Sequence, residues 1–265
     1  MNQIYSNNKY RYHSILRNMN IIVQVGGGIK TIYLIRHGES EHNKMGVIQG
    51  DDIESNLTSL GKEQAKKTGQ YLKQHLNGKS IIYHSPMPRA IETADIINEY
   101  LSIDNIKSND LKELGTGKLA GLTKDNPFIE VLKEINKRIT AAKLPTIESE
   151  YRFAQEQLEK IPPDELKKYG FDNGIIGVED ADHVTARINR IIEIIKNIRG
   201  YDNILIISHS SLLDYLSKVM LNTNHISYDK LTHGKNCYIS IIEYSNSEFK
   251  HISPPSTYHL AELSH

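Results

Sequence analysis

The sequence predicts an α/β protein with three layers, α/β/α, in which helices cover both faces of a mostly parallel central sheet. Short apolar runs alternate with amphipathic helical patterns between about residues 31 and 244. The 265 residues suit one compact core with an inserted subdomain. Between residues 122 and 178 the alternation stops and amphipathic stretches replace the buried strands. We therefore expect a helical cap insertion over 122–178.

The first half of the alternation runs from Thr31 to Leu101. "TIYLIR" is typical of a buried strand, and "TSLGKEQAKKTGQYLKQHL" predicts a helix with Thr58 as its N-cap. "SIIYH" predicts a second, shorter strand. It is stopped by "SPMPR", where Pro88 suits the first turn of a helix that continues toward Leu101.

The second half of the alternation contains the clearest helical pattern of the chain. In "DADHVTARINRIIEIIKNIRG" apolar residues recur at helical spacing, and Gly200 suits the end of the helix. "NILIISHS" then predicts a strand, "SLLDYLSKVM" a helix and "CYISIIEY" a last strand. Alternating strands and helices indicate a largely parallel sheet, and such sheets bind ligands beyond the carboxyl ends of their strands.

Both ends of the chain are expected to lie outside a domain over residues 29–252. Residues 1–28 lack sustained periodicity, which favours a disordered extension. They also lack acidic residues, so an organellar transit peptide is the alternative. The segment 253–265 is broken by prolines, and we expect a flexible tail.

The composition argues against several classes of partner. The 32 lysines and arginines balance 32 aspartates and glutamates, so no overall field attracts nucleic acid or an anionic membrane. No apolar run reaches the ~20 residues that cross a bilayer. The single cysteine, Cys237, excludes an internal disulfide. We expect a cytoplasmic protein with a small-molecule partner, and the sequence leaves the oligomeric state open.

Polar side chains follow three of the predicted strands at the points where the strands end. They are Arg36, His37, His84, Arg89 and His209. The carboxyl ends of parallel strands lie at one edge of a sheet, so these side chains would form a cationic pocket for a small dianion. The guanidinium groups supply forked donors that match phosphate oxygens.

Five motifs occur in order between residues 31 and 244: "RHGES" followed by Asn43, "SPMPRAIETA", "LKELGTGKLAGL", "SHS" and "NCYISIIEY". Together they resemble the motifs of the histidine phosphatase superfamily, which includes cofactor-dependent phosphoglycerate mutases and related phosphatases. The long gap after "LAGL" falls where this superfamily carries a variable insertion. The resemblance implies the same fold and a phosphoryl-transfer chemistry.

The resemblance also implies catalytic roles. His37 would attack phosphorus and form a phosphohistidine, which splits one hard displacement into two easier ones. Arg36, Arg89 and His209 would bind the phosphoryl oxygens and stabilise the charge of transfer. Asn43 would add a neutral donor. This route requires no cofactor and no metal, and the sequence has no HExxH and no cysteine near His37 that would suggest a metal site.

Three further residues complete the predicted site. Glu113 lies four residues before Gly117, as the acid of the superfamily does, and would protonate the leaving alkoxide and then act as a base toward water. Gln49, in "IQGD", resembles the phosphatase branch and is a candidate for substrate binding. Ser210, next to the second histidine where many relatives have glycine, would change the shape of the substrate pocket.

Phosphatase and mutase differ in whether water reaches the phosphoenzyme. After "LAGL" the sequence reads "TKDNPFIE", without the arginine-rich segment of the mutases. We therefore predict a phosphomonoesterase that acts on a small phosphorylated metabolite, with a phosphoglycerate mutase as the alternative. A phospholigand-binding or scaffolding protein without turnover is an alternative of another class. Lys124, Lys133, Lys137 and Arg138 would either contact a second anionic group of the substrate or, as we favour, lie on a solvated helix face.

Overall fold

The computed structural model describes residues 28–51, 54–171, 174, 176–223 and 235–263. Its strands are β1 (Lys30–Arg36), β2 (Ser80–His84), β3 (Asp104–Lys107), β4 (Asn203–Ser208), β5 (Ile239–Ser245) and β6 (Glu248–Ser256). They form one sheet in the order β3-β2-β4-β1-β5-β6. The pairings among β1 to β4 are parallel, whereas β5 pairs antiparallel with both β1 and β6. The sheet is thus mixed, with a parallel centre as predicted.

Helices cover both faces of this sheet. They are α1 (Glu41–Met45), α2 (Ser59–His75), α3 (Pro88–Leu101), α4 (Phe128–Ala142), α5 (Ile147–Glu159), α6 (Pro163–Lys167), α7 (Ala181–Asn197) and α8 (Ser210–Met220). In β1, Ile32 and Leu34 share a core with α7 and α8, while Tyr33 and Ile35 share one with α2 and α3. Successive strand side chains point to opposite faces, so one strand serves both layers. The predicted three-layer class is confirmed.

The helix ends follow local capping chemistry. Thr58 caps α2 as predicted, because its Oγ1 accepts a hydrogen bond from the N–H of Gly61 at 3.0 Å. Pro88 is the first residue of α3, where its missing N–H costs nothing. Helix α7 ends at Asn197 with Ile198 as its C-cap, so it stops before Gly200.

The helical insertion has a small core of its own. The core consists of Leu119, Phe128, Ile135, Leu158, Leu166, Phe171 and Ile176. The N–H of Ile48 donates to the carbonyl oxygen of Leu122 at 2.8 Å, and Val47 pairs with Thr123 in an isolated antiparallel bridge. The insertion is therefore attached beside the loop that carries Gln49.

The structure describes most of the C-terminal tail but almost none of the predicted N-terminal extension. The extension predicted over residues 1–28 lies, apart from its last residue, outside the described residues. The flexible tail expected over residues 253–265 does not match the structure, because β6 continues to Ser256 and a 3₁₀ turn over Tyr258–Leu263 packs on α2. β6 is an edge strand, and prolines fit an edge strand because one side of its backbone needs no donor.

Candidate active site

The parallel register brings the predicted strand ends together. β4 lies between β2 and β1, and Arg36 at the end of β1 is in register with Ser208 at the end of β4. The N–H of His37 donates to the carbonyl oxygen of Ser208 at 2.9 Å. As a result, the rings of His37 and His209 lie side by side, with their centroids 5.1 Å apart.

His37 is buried, and its backbone neighbour orients its ring. Its Nδ1 lies 2.7 Å from the carbonyl oxygen of Gly38. A carbonyl oxygen can only accept, so Nδ1 carries the proton, and in the neutral ring Nε2 carries the lone pair. Burial, together with the charges of Arg36 and Arg89, lowers the pKa of His37 well below its ordinary value. Near neutral pH the ring is therefore uncharged and nucleophilic at Nε2.

The turn that carries His37 is held closely by its surroundings. A Cβ on Gly38 would lie 2.5 Å from the carbonyl oxygen of Gly61 in α2, so only glycine fits there. The N–H of Gly38 donates to Oγ1 of Thr93 at 3.0 Å, and the carbonyl oxygen of His37 accepts from Nδ2 of Asn236 at 3.1 Å. Contacts from α2, α3 and the segment before β5 thus hold the backbone of His37.

Arg89 connects His209 to the loop after α1. Its Nε donates to Nδ1 of His209 at 3.2 Å, and its Nη2 donates to the carbonyl oxygen of Gly50 at 3.2 Å. Since a guanidinium only donates, the neutral ring of His209 carries its proton on Nε2, which lies 2.8 Å from Oγ of Ser85. Burial lowers the pKa of Arg89 to about 10, so it stays cationic at neutral pH.

His209 is fully buried, and its surroundings favour the uncharged ring. Burial, followed by the charge of Arg89, lowers its pKa well below the ordinary value. Both ring nitrogens are hydrogen-bonded within the protein, so a contact with a phosphoryl oxygen would require one of these bonds to be exchanged. The predicted role of His209 in binding phosphoryl oxygens stays a prediction.

Glu113 is buried at the N-terminus of α8. Its carboxylate oxygens accept hydrogen bonds from the N–H groups of Leu114 at 3.0 Å, Leu212 at 3.0 Å and Ser211 at 3.3 Å. Helix α8 begins directly after His209, so the turn that presents His209 also holds Glu113. Glu113 is also close enough to both predicted arginines to favour their charged forms.

The predicted donors Asn43 and Gln49 lie around the first turn of α1. Oδ1 of Asn43 accepts from the N–H of Ser40 at 3.2 Å and from Nδ2 of Asn236 at 2.9 Å. Nε2 of Gln49 donates to Oγ of Ser40 at 3.1 Å. Donors engage the oxygen of Asn43, so its Nδ2 is the atom that could donate to an anionic substrate. Substrate binding by both residues stays a prediction.

Arg36 and Ser210 flank the two histidines along the chain. Nη1 of Arg36 donates to the carbonyl oxygen of Lys235 at 3.2 Å. Ser210 is the first residue of α8 and is partly buried. His84, in contrast, directs its Nδ1 to the carbonyl oxygen of Ser85 at 2.8 Å. The structure therefore gives His84 a local backbone partner rather than a contact with the other histidines.

Sequence analysis assigns no role to two polar residues of this site, Ser85 and Asn236, although each opens one of the five motifs, "SPMPRAIETA" and "NCYISIIEY". Ser85 is fully buried and directly follows β2, so its position at a strand end is a further signal. Asn236 donates to the carbonyl oxygen of His37 and to Oδ1 of Asn43, and the motif is the signal that could have marked it.

The basic residues of the insertion are mostly paired within the insertion itself. Lys133, Lys137 and Arg138 are exposed, and each has a nitrogen within 3.7 Å of a glutamate carboxylate about one turn earlier on α4. This geometry is that of the solvated helix face favoured from the sequence. Lys124 differs, because its aliphatic carbons lie beside Gly46 at the end of α1.

Two further features of the described residues concern metal binding and membrane spans. Among the residues that the structure describes, no three or more His, Cys, Asp and Glu side chains are grouped to hold a metal ion. Within the same ranges, no helix combines the length and the apolar character that a bilayer span requires.

Comparison with known proteins identifies the family. Residues 32–155 and 147–253 match the family model of the histidine phosphatase superfamily (branch 1). The chain belongs to the histidine phosphatase superfamily. The family predicted from the five motifs is thus confirmed.

This histidine phosphatase superfamily member is similar to proteins of two activities. It is 40% identical over 119 residues to "Uncharacterized phosphatase PhoE" of Bacillus subtilis, and the alignment covers 41% of this chain and 60% of that protein. It is also 40% identical over 106 residues to the 2,3-bisphosphoglycerate-dependent phosphoglycerate mutase of Nautilia profundicola, covering 39% and 46% of the two chains. Each alignment spans less than two thirds of the relative.

A solved structure shows that the superfamily fold extends over most of the chain. The phosphoglycerate mutase from Bacillus anthracis superposes with a TM-score of 0.65 at 20% identity, covering 89% of this chain and 97% of that one. At this identity the similarity shows the shared fold. It agrees with the architecture of sheet, flanking helices and insertion described above.

Proposed function

We propose that this protein is a metal-independent phosphomonoesterase that acts on a small phosphorylated metabolite through a phosphohistidine at His37. The observation that carries the proposal is the state of the His37 ring. It is neutral, it donates from Nδ1 to the carbonyl oxygen of Gly38, and it therefore offers Nε2 to an electrophile near the buried Arg89 and the partly buried Arg36. A cytoplasmic location is part of the proposal, since the single cysteine fits a reducing compartment.

The proposed reaction has two steps. In the first, Nε2 of His37 attacks phosphorus, the bond from phosphorus to the leaving oxygen breaks, and Glu113 gives its proton to that oxygen. In the second, Glu113 takes a proton from water while the water oxygen attacks phosphorus. The bond from nitrogen to phosphorus then breaks, which restores the neutral imidazole and releases inorganic phosphate. Arg36 and Arg89 balance the charge on the transferred oxygens.

A mutase is the second candidate, because 39% of the chain aligns with a phosphoglycerate mutase at 40% identity. The insertion argues for the phosphatase. A mutase needs spare cations for a second anionic group, yet Lys133, Lys137 and Arg138 already lie next to glutamates. Binding without turnover is disfavoured because no predicted catalytic side chain has been lost: His37, Arg89, Glu113 and His209 are buried, and the partly buried Arg36 interacts electrostatically with His37 and Glu113.

The test is an assay in EDTA with p-nitrophenyl phosphate, sugar phosphates, and 3-phosphoglycerate with and without 2,3-bisphosphoglycerate. Released phosphate and isomerised product are both measured. We expect phosphate release in the presence of EDTA, and a loss of about 10⁴-fold or more in kcat for His37→Ala, because the nucleophile is absent.

The matched control is His251→Ala on the edge strand β6, for which we expect wild-type rates. Isomerisation with little phosphate release would replace the phosphatase with the mutase. Phosphate binding with neither turnover nor labelling of His37 would instead support a phospholigand-binding protein.

A further inference from the structure

Arg187 directs its guanidinium to the segment that carries Glu113. Arg187 is 3% exposed and lies on α7. Its Nη1 donates to the carbonyl oxygens of Asp110 at 2.9 Å and Lys112 at 2.8 Å, and its Nη2 donates to the carbonyl oxygen of Glu113 at 3.2 Å. Three backbone carbonyls in four residues thus converge on one buried cation.

Glu179 completes the arrangement from the other side of the same segment. Its two carboxylate oxygens accept from Nε of Arg187 at 2.8 Å and from Nη2 at 2.7 Å, a bidentate pair. Its Oε2 also accepts from the N–H of Gly115 at 3.0 Å, and its own N–H donates to the carbonyl oxygen of Gly115 at 2.7 Å. Burial raises the pKa of Glu179, but the bonds from Arg187 and Gly115 outweigh burial, and the net pKa lies below the ordinary value.

The held segment has little regular structure of its own. It runs between a 3₁₀ turn over Asn109–Leu111 and another over Gly117–Leu119, and residues 112–116 belong to no helix or strand. A backbone without a ladder of hydrogen bonds depends on side chains for its position. Arg187 and Glu179 supply most of these side-chain contacts, and Oγ of Ser208 adds one by donating to the carbonyl oxygen of Leu111 at 2.7 Å.

We propose that Arg187 and Glu179 form a buried ion pair that positions the acid Glu113, and that the pair sets the efficiency of proton transfer without touching the substrate. The inference rests on the proposed function, in which Glu113 protonates the leaving oxygen. The guanidinium contacts the carbonyl oxygen of Glu113, while the carboxylate is held by the amides of α8. Loss of the ion pair would therefore shift the backbone beneath the acid and misalign the carboxylate.

The inference predicts a specific kinetic signature for Arg187→Lys. Proton donation matters most when the leaving group is a poor one. The test uses kcat/KM, which reports the steps up to formation of the phosphoenzyme and so excludes the hydrolysis step that both esters share. We expect kcat/KM for phenyl phosphate to fall at least about tenfold, as for Glu113→Gln, while kcat/KM for 4-nitrophenyl phosphate changes less than about threefold.

Arg190→Lys is the matched control. Arg190 lies one turn further along α7 and binds the same segment, but through the side chain of Asp110 and at 54% exposure. We expect wild-type kinetics with both esters. An equal loss of kcat/KM with both esters for Arg187→Lys, or wild-type values with both, would overturn the inference.

A second variant covers the possibility that a single substitution unfolds the protein. Breaking one half of a buried pair leaves an uncompensated charge, whereas replacing both halves by apolar residues is often tolerated. The double variant Arg187→Met, Glu179→Leu should therefore fold and still show the defect with the poor leaving group. A folded double variant without this defect would contradict the inference. Wild-type protein that releases no phosphate from any ester would instead contradict the proposed function itself.

Discussion

The sheet edge and the helical insertion hold their charged groups in opposite ways. At the edge, His37, Arg89 and His209 are at most 3% exposed, and each is hydrogen-bonded to the protein. In the insertion, Lys133 and Lys137 are 61% and 77% exposed, and each pairs with a neighbouring glutamate on the same helix. Such an exposed pair contributes about 0.2–0.5 kcal/mol, while a buried polar group left unpaired costs about 1–3 kcal/mol. A substitution at the edge therefore disturbs several hydrogen bonds at once, and we expect it to lower activity more than a substitution in the insertion.

The two regions are nevertheless connected. The hydroxyl of Tyr151 on α5 donates to the carbonyl oxygen of Glu179 at 3.1 Å, and Oε1 of Gln155 accepts from the N–H of Ala181 at 3.1 Å. Both bonds end on residues 179–181, and Glu179 in turn contacts the segment that carries Glu113. The insertion is therefore connected to that segment through Glu179, while its exposed charges lie elsewhere.

The largest effect in this comparison is expected for Arg89→Lys. Lysine keeps the charge but lacks the fork that donates to both His209 and Gly50. We expect kcat/KM for p-nitrophenyl phosphate to fall about 10²-fold, the usual effect of removing one donor from a developing anion. Steady-state kinetics measure this value. Arg138→Lys on α4 is the matched control, with rates equal to wild type. A loss below threefold for Arg89→Lys would contradict the proposed role of Arg89 in stabilising the transferred phosphoryl group.

The sequence predicts where the site lies better than it predicts the hydrogen bonds within the site. Each central strand is an apolar run that stops at a polar residue, so the position of Arg36, His37 and His209 at one sheet edge follows from the local pattern and the parallel register. The bond between His209 and Ser85 joins residues 124 positions apart, and that between Arg187 and Glu113 joins residues 74 apart. No local periodicity encodes such pairs, because they depend on tertiary packing.

Tertiary packing also explains why the predicted flexible tail differs from the structure. Prolines in a sequence indicate a break in regular structure, whereas the sheet order shows that residues 253–256 pair along an edge strand. His259 in this tail is partly buried, with Nε2 3.0 Å from Oγ1 of Thr68. It is an imidazole held within the protein like those of the site, but it lies outside the site.

A smaller effect, on stability, is expected for His259→Gln. Burial lowers the pKa of His259 to about 4, whereas in the unfolded chain it is near 6.5. Between these values the unfolded state binds more protons, so the stability present above pH 6.5 is lost as the pH falls toward 4, by up to about 3 kcal/mol. We expect the urea midpoint of the wild type to drop from pH 7 to pH 5, and the drop to be smaller in the variant.

Part of the drop should remain in this variant, because His37 and His209 also have lowered pKa values and contribute with the same sign. Thr68→Val is the control: it removes the partner hydroxyl and keeps the imidazole, so the pH dependence should persist at lower overall stability. A variant His259→Gln with the full wild-type pH dependence would show that this imidazole does not titrate on unfolding.

The smallest effect is expected for the double variant Lys133→Gln, Lys137→Gln. Both side chains are exposed and pair with Glu130 and Glu134 at the helix surface, so the free energy of unfolding should change by less than about 1 kcal/mol. The values of kcat and KM should stay within twofold of wild type for p-nitrophenyl phosphate and for 3-phosphoglycerate, which carries a second anionic group. A rise in KM for 3-phosphoglycerate alone would place these lysines at the substrate and move selectivity to α4. Unchanged constants for both esters would leave the start of the insertion, where Lys124 lies beside Gly46, as the remaining candidate within the insertion for contact with the substrate.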